Sequence, residues 1–325
     1  MEIVKEASGI RTIFWGTPEF AIPAFEALVN SGYSVVAAVT NPDEPKGRKQ
    51  ILIPPPVKVF VEKRGIPFLQ PRSLSGFAPK LRELNADIFV VAAYGKIIPK
   101  EILDMPKYGS INIHPSLLPR WRGPSPIQHS ILAGDKETGV TLIAMDEKMD
   151  HGPIVATRRI ELGERKAGYK ELHDELAALG AELLIEILPG WIRGEITLMP
   201  QDDAQATYSK IIGKDDGKID WQKSVLEIER MIRAFSPWPS SFTFWQRNQN
   251  RLRLEIEGAE AIEKNQGIIV PGSVWKDETG ALFVQTGKGN LRIMRIHPEG
   301  RKAMTAEEFL NGYSDIVGSV LDSKF

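Results

Sequence analysis

Cysteine is absent from the 325-residue chain, which excludes disulfides, thiolate nucleophiles and any zinc site built on sulfur. Long apolar runs are missing as well. Residues 1–10 include Glu2, Lys5 and Glu6, so no uninterrupted apolar stretch of a signal sequence opens the chain, and no spanning segment follows. A cytoplasmic protein without membrane association is therefore expected. An excess of one charge is also lacking: 41 Lys and Arg stand against 42 Asp and Glu, a formal net charge of −1. A cut near Ala206 leaves 24 basic and 26 acidic residues before it, and 17 and 16 after it. Neither part has the basic field of a general nucleic-acid binder, so a polyanion would have to be held by local patches.

What remains is an ordinary globular composition, with 42% hydrophobic and 26% charged residues, in a chain long enough for two domains. The first half alternates short apolar runs with helical patterns, the signature of βαβ units and a parallel sheet. Strands are expected at 11–15, 34–40, 87–93, 109–113 and 141–145. Helices are expected at 18–30, 57–64, 79–84, 124–132 and 169–188, the last stopping at Pro189-Gly190. From 190 to 207 the period disappears among Gly, Pro, Asp and Gln, which suggests a linker. After one helix at 225–235 come five short strand patterns, at 241–245, 251–256, 272–275, 281–286 and 290–296, enough for a small β-barrel of the oligonucleotide-binding (OB-like) type. The expected organisation is a Rossmann-like α/β domain over 1–189, a linker at 190–207 and a barrel domain over 208–325.

The first strand runs into a turn with the single glycine Gly16. Without G-x-G-x-x-G there is no backbone nest for a pyrophosphate, which argues against a nicotinamide or flavin dinucleotide. The strongest chemical signal is N-I-H-P-S-L-L-P at 112–119, at the carboxyl end of an expected strand, where open α/β sheets keep their active sites. Side chains two apart on a strand share a face, so Asn112 and His114 project together. Asp150 is expected to join them, on the argument that strand 141–145 runs parallel and releases its chain on the same edge of the sheet. A carboxamide, an imidazole and a carboxylate suit acyl transfer. The first two donate to a developing oxyanion, while the third orients and charges the imidazole or assists proton removal. Alternatively Asp150 only caps the turn at Gly152. No G-x-S-x-G elbow is present and Ser116 has no second histidine for a triad, which favours direct transfer. Metal chemistry is disfavoured because the histidines show neither H-x-x-x-H nor H-E-x-x-H spacing. His151 is expected to be solvated. Finally, Lys46, Arg48 and Lys49 form a basic patch on an unusually long connection after the second strand, suited to phosphates unless it is only a solvated loop.

Taken together, these segments resemble the methionyl-tRNA formyltransferase family from about residue 11 to residue 312. The resemblance rests on F-x-G-T-P-x-F-A at 14–21, N-P-D-x-P-x-G-R at 41–48 with P-V-K at 56–58, and A-A-Y-G-K-I-I-P at 92–99. It continues with N-I-H-P-S-L-L-P-R-W-R-G at 112–123, G-D-x-x-T-G-V-T at 134–141, I-D-W at 219–221, P-W-P at 237–239 and H-P-E-G-R-K-x-M at 297–304. The 112–119 segment is shared across folate-dependent formyltransferases and hydrolases, and the basic loop with the later motifs narrows the match. The resemblance implies 10-formyltetrahydrofolate as donor, initiator methionyl-tRNA as acceptor, and Asn112, His114 and Asp150 as the catalytic trio. It further implies that Ser116, Leu117, Leu118 and Pro119 line the folate site and that the loop with Arg48 approaches the acceptor end of tRNA; from the histidine spacing, no metal is expected. The chain departs from the family pattern at Lys49, where a second glycine is common, and at His151, where a small polar residue is common. A monomer is expected.

Overall fold

A computed structural model describes residues 9–47, 50–264 and 270–322. Two compact units are present. One comprises residues up to 126 with 136–163 and 172–210; the other comprises 127–135, 164–171 and 211 onward.

The first unit is built on a seven-stranded sheet. Its strands are β1 (Arg11–Gly16), β2 (Ser34–Val39), β5 (Phe68–Leu69), β6 (Ile88–Ala92), β7 (Ser110–His114), β8 (Glu137–Ala144) and β9 (Ile154–Glu161), while β3 (Glu44–Lys46) and β4 (Ile51–Ile53) form a separate hairpin. The order across the sheet is β5-β2-β1-β6-β7-β8-β9. Central β1, β6 and β7 are buried nearly throughout, as strands covered on both faces must be. Alternation assigns the faces. Phe14 stacks on Phe25 of helix Ile22–Asn30 at 4.5 Å, whereas Ile13 and Trp15 turn the other way into a cluster with Phe89, Val91, Leu81 and Ile102. The β6–β7 register pairs Val91 with Asn112, so Asn112 and His114 emerge on the Trp15 face of the sheet.

The structure departs from expectation in three places that matter for function. First, β8 pairs antiparallel with β7, Ile111 opposite Ala144 and His114 opposite Thr141, rather than parallel. The β7-to-β8 connection contains helix Pro126–Ala133, whose residues from 127 group with the other unit, and an antiparallel return needs no crossover on the sheet. Second, β9 was not anticipated. It is an antiparallel partner of β8 in which Thr157, Arg159 and Glu161 are exposed in alternation. Third, helix Tyr169–Ile192 runs through Pro189 for one more turn.

The second unit carries an antiparallel sheet of β10 (Ser241–Arg247), β11 (Asn250–Ile262), β14 (Asn290–Pro298), β13 (Leu282–Gln285) and β12 (Val274–Lys276), with β15 (Met304–Thr305) on β14. β11 pairs β10 with its first half and β14 along the rest, and its register shifts on either side of Gly258. Such a bulge bends a strand and produces the curvature of a half-barrel. Helix Val225–Ala234 opens with a Ser224/Glu227 capping box. Trp221 is fully buried and donates its indole N–H to Thr243 Oγ1 at 3.0 Å, giving the I-D-W motif a structural role.

Candidate active site

β7 ends by delivering Asn112 and His114, both buried, to the same side. The turn that follows is pinned to β8. Thr141 donates its hydroxyl to Ser116 O at 2.7 Å and accepts from Leu118 N at 3.1 Å. Ser116 Oγ in turn donates to Arg120 O at 2.6 Å. The chain thus curls back so that Trp121 O meets His114 Nε2 at 2.9 Å. A carbonyl only accepts, so Nε2 carries the proton, and Nδ1 is the nitrogen left to act.

Asp150 faces that nitrogen. Its Oδ1 lies 3.5 Å from His114 Nδ1 and accepts from Asn112 Nδ2 at 3.4 Å, while Oδ2 accepts from Gly123 N at 2.8 Å. The three expected groups do meet, although not by the route expected. Because β8 is antiparallel, loop 145–153 leaves from the opposite end of β7, where Met145 N donates to Ser110 O at 2.8 Å, and folds back over the face. Gly152 permits this fold, since a Cβ there would sit 1.8 Å from Ala144 O. Asp150 itself takes a left-handed φ of 51°.

His151, expected to be solvated, is half-buried and carries side-chain partners as well. Its Nδ1 donates to Asp146 Oδ2 at 2.6 Å and its Nε2 lies 3.4 Å from Asp203 Oδ2. Asp203 also accepts from Arg122 Nη2 at 2.8 Å. The hydrogen bond from Arg122 holds the Asp203 carboxyl below the ordinary aspartate range, with His151 adding to it against a weaker opposing effect of burial. Burial disfavours the Arg122 charge, but Asp203 and the Tyr208 hydroxyl outweigh it, so the guanidinium pKa is raised. Arg122, Gln201 and Thr207 were not singled out from sequence. Arg122 lay inside a quoted motif, whereas Gln201 and Thr207 stood in a stretch without period and sent no signal.

Nearby strand ends are also tied together. Tyr94 O accepts from Thr17 Oγ1 at 3.1 Å and from Asn41 Nδ2 at 2.9 Å, joining the loops after β6, β1 and β2. Three of the quoted motifs meet in this one knot. Burial pushes the Tyr94 hydroxyl up to about 12.

Of the expected folate-lining residues, Ser116 and Leu118 are buried, Leu118 against Ile143 and Ile154, while Leu117 and Pro119 are partly exposed. Lys46 lies on β3; its side chain, together with Arg48 and Lys49, falls outside the described residues. Among the described residues no group of three or more His, Asp or Glu side chains is arranged to hold a metal, and no helix is long and apolar enough to cross a membrane.

Residues 10–188 match the family model described as formyl transferase, and 211–314 match the formyl transferase C-terminal domain. A methionyl-tRNA formyltransferase of Chloroflexus aggregans is 44% identical over 93% of this chain and 97% of its own length. The chain belongs to the methionyl-tRNA formyltransferase family. Members of that family from Methylococcus capsulatus and Bacillus velezensis are 43% and 41% identical, each matched over 97% of its length. Among solved structures, an N-formyltransferase of Helicobacter canadensis in complex with folinic acid and dTDP-3-aminofucose superposes with a TM-score of 0.63 at 19% identity, covering 87% of this chain and 98% of that one. HypX of Aquifex aeolicus in complex with tetrahydrofolic acid gives 0.63 at 16% identity, over 95% of this chain and 48% of its own. At these identities the likeness is one of fold.

Proposed function

We propose that this chain transfers the formyl group of 10-formyltetrahydrofolate to the α-amino group of methionine on initiator methionyl-tRNA. The observation that carries this proposal is the convergence of Asn112 and His114 on Asp150, in a chain that matches its named relatives along nearly their whole length.

The neutral α-amine attacks the formyl carbon, a C–N bond forms, and the carbonyl oxygen becomes an oxyanion. Asn112 Nδ2 and a protonated His114 Nδ1 donate to it. Nε2 is committed to Trp121 O, so the donor must be Nδ1, and the adjacent Asp150 carboxylate stabilises that imidazolium. The amine sheds a proton, Asp150 assists its passage, and the bond from carbon to the folate nitrogen breaks as that nitrogen takes up a proton.

Residues 116–119 are assigned to the wall of the donor site. Leu117 and Pro119 offer apolar surface, and Ser116 and Leu118 hold the turn. Lys46, on β3, and Arg48 and Lys49, which follow it in sequence, are assigned to the phosphates of the acceptor end, and residues 208–325, after the 190–207 linker, to the body of the tRNA. Exposed Lys214, Arg301 and Lys302 are available for that contact. Arg48→Ala should weaken use of tRNA and leave folate-analogue binding unchanged. The working form is a cytoplasmic monomer, testable by sedimentation.

The experiment is transfer of labelled formyl from the donor to charged initiator tRNA, run beside amino-sugar nucleotides and free methionine. Transfer to the tRNA alone is expected. Equal or faster transfer to a small amine would replace the acceptor.

A further inference from the structure

We propose that Gln201 is the positioning residue of this site, setting where the Asp150 carboxylate stands relative to Asn112 and His114. The inference rests on the trio assigned above.

Two residues beside the chemistry hold backbone conformations that L residues rarely adopt: Asp150, with φ 51°, and Trp121, with φ 61°. Asp150 presents the carboxylate, and Trp121 presents the carbonyl that fixes the His114 tautomer. Both conformations must be held from outside. Gln201 Nε2 donates to Asp150 O at 2.9 Å and to Gly152 O at 2.8 Å, so both amide hydrogens clasp the loop on either side of His151. Its Oε1 accepts from Arg122 Nε at 3.0 Å. Gln201 therefore joins the loop carrying Asp150 to the loop carrying Trp121.

The second loop is gripped by the same segment. Trp121 N donates to Thr207 Oγ1 at 2.9 Å, Arg122 N to Thr207 O at 2.9 Å, and Ser209 N to Arg122 O at 2.7 Å. Gly123 completes the fit. Its φ is 110°, a Cβ there would lie 2.7 Å from Ser209 O, and its N–H is the donor to Asp150 Oδ2. A displacement of Gln201 would thus be felt at the Asp150 carboxylate through both its main chain and its hydrogen-bond donor.

A merely structural Gln201 would tie down residues 199–209 and nothing more, and kinetics in the full-length protein separates the two roles. Gln201→Glu turns the two donors into acceptors facing carbonyl oxygens, while Gln201→Met keeps the volume and makes no bond. In both, kcat for transfer to charged tRNA should fall tenfold or more, with KM for the folate donor changed less than twofold. Gln201→Asn, which retains the amide, should recover part of the loss. The same changes placed on Asp150→Asn should cost less than twofold further, because a residue acting through Asp150 has nothing left to position.

Thermal unfolding identifies the folded variants; if Gln201→Glu does not fold, Gln201→Met carries the measurement. Wild-type kcat in a folded Gln201→Met would overturn the proposal. So would an undiminished tenfold loss on the Asp150→Asn background. A wild-type rate in Asp150→Asn itself would instead overturn the trio, and this inference with it.

Discussion

The end of β7 and the stretch 199–209 serve the same small volume by opposite means. β7 is a buried central strand whose side chains are placed by ladder bonds on both sides, so Asn112 and His114 inherit the rigidity of the sheet. Residues 199–209 have little regular structure, and besides the main-chain and side-chain bonds to Arg122 they act through side chains bonded to main chain: Gln201 to Asp150 O, Thr207 to Trp121 N. A strand fixes a direction, and a loop fixes a distance. A site that must hold an imidazole and a carboxylate from different segments needs both.

That division is broken most severely at the strand. His114→Ala, Asp150→Ala and Asn112→Ala should each lower kcat about a hundredfold or more, the usual effect of removing one such donor or its partner, with circular dichroism unchanged. Wild-type turnover in both His114→Ala and Asp150→Ala would remove β7 from the chemistry. Next comes the hinge between the regions. In Gly152→Ala the new methyl falls 1.8 Å from Ala144 O, so the loop must shift. A destabilisation of about 1–3 kcal/mol in denaturant unfolding is expected, as for other overpacked sites, together with reduced turnover.

A smaller effect is expected from Thr207→Val, which leaves Trp121 N–H without its partner; the cost should be about 1 kcal/mol, read as a lower thermal midpoint. The smallest concerns pH. The Asp203 pKa is depressed in the fold by the Arg122 hydrogen bond, so its contribution to stability is present above the ordinary aspartate value of 3.8 and is lost as pH falls through the lower folded value. Asp203→Asn should remove that contribution, a small loss at neutral pH because the carboxylate is largely exposed, and the difference from wild type should vanish as pH falls below the folded value.

The same contrast explains what sequence could and could not reveal. Asn112 and His114 were legible because two-residue periodicity at a strand end is a geometric statement. Asp150 was found for a reason that fails: β8 is antiparallel, and Asp150 arrives through a loop that Gly152 allows to fold back. β9 escaped because polar Thr157, Arg159 and Glu161 mark its exposed side, and β11 was cut short because Gly258-Ala259-Glu260-Ala261 has little strand character although it pairs with β14. Helix Tyr169–Ile192 outran its expected stop: Pro189 lies inside it and forfeits one N–H, yet the chain keeps its turn to Ile192, with Arg193 N donating to Pro189 O at 3.1 Å. Gln201 and Thr207 were invisible for a further reason. Apart from the Arg122 side chain on Gln201, their partners are main-chain atoms far along the chain, and a bond to main chain leaves no pattern in the identity of the residue that offers it.

The most direct test of the account is single-turnover formyl transfer to charged initiator tRNA by Asp150→Asn beside wild type, with both proteins saturated with the folate donor. The account predicts normal donor binding and a transfer step slowed about a hundredfold or more. A transfer step as fast as wild type, with the donor bound equally well, would contradict it.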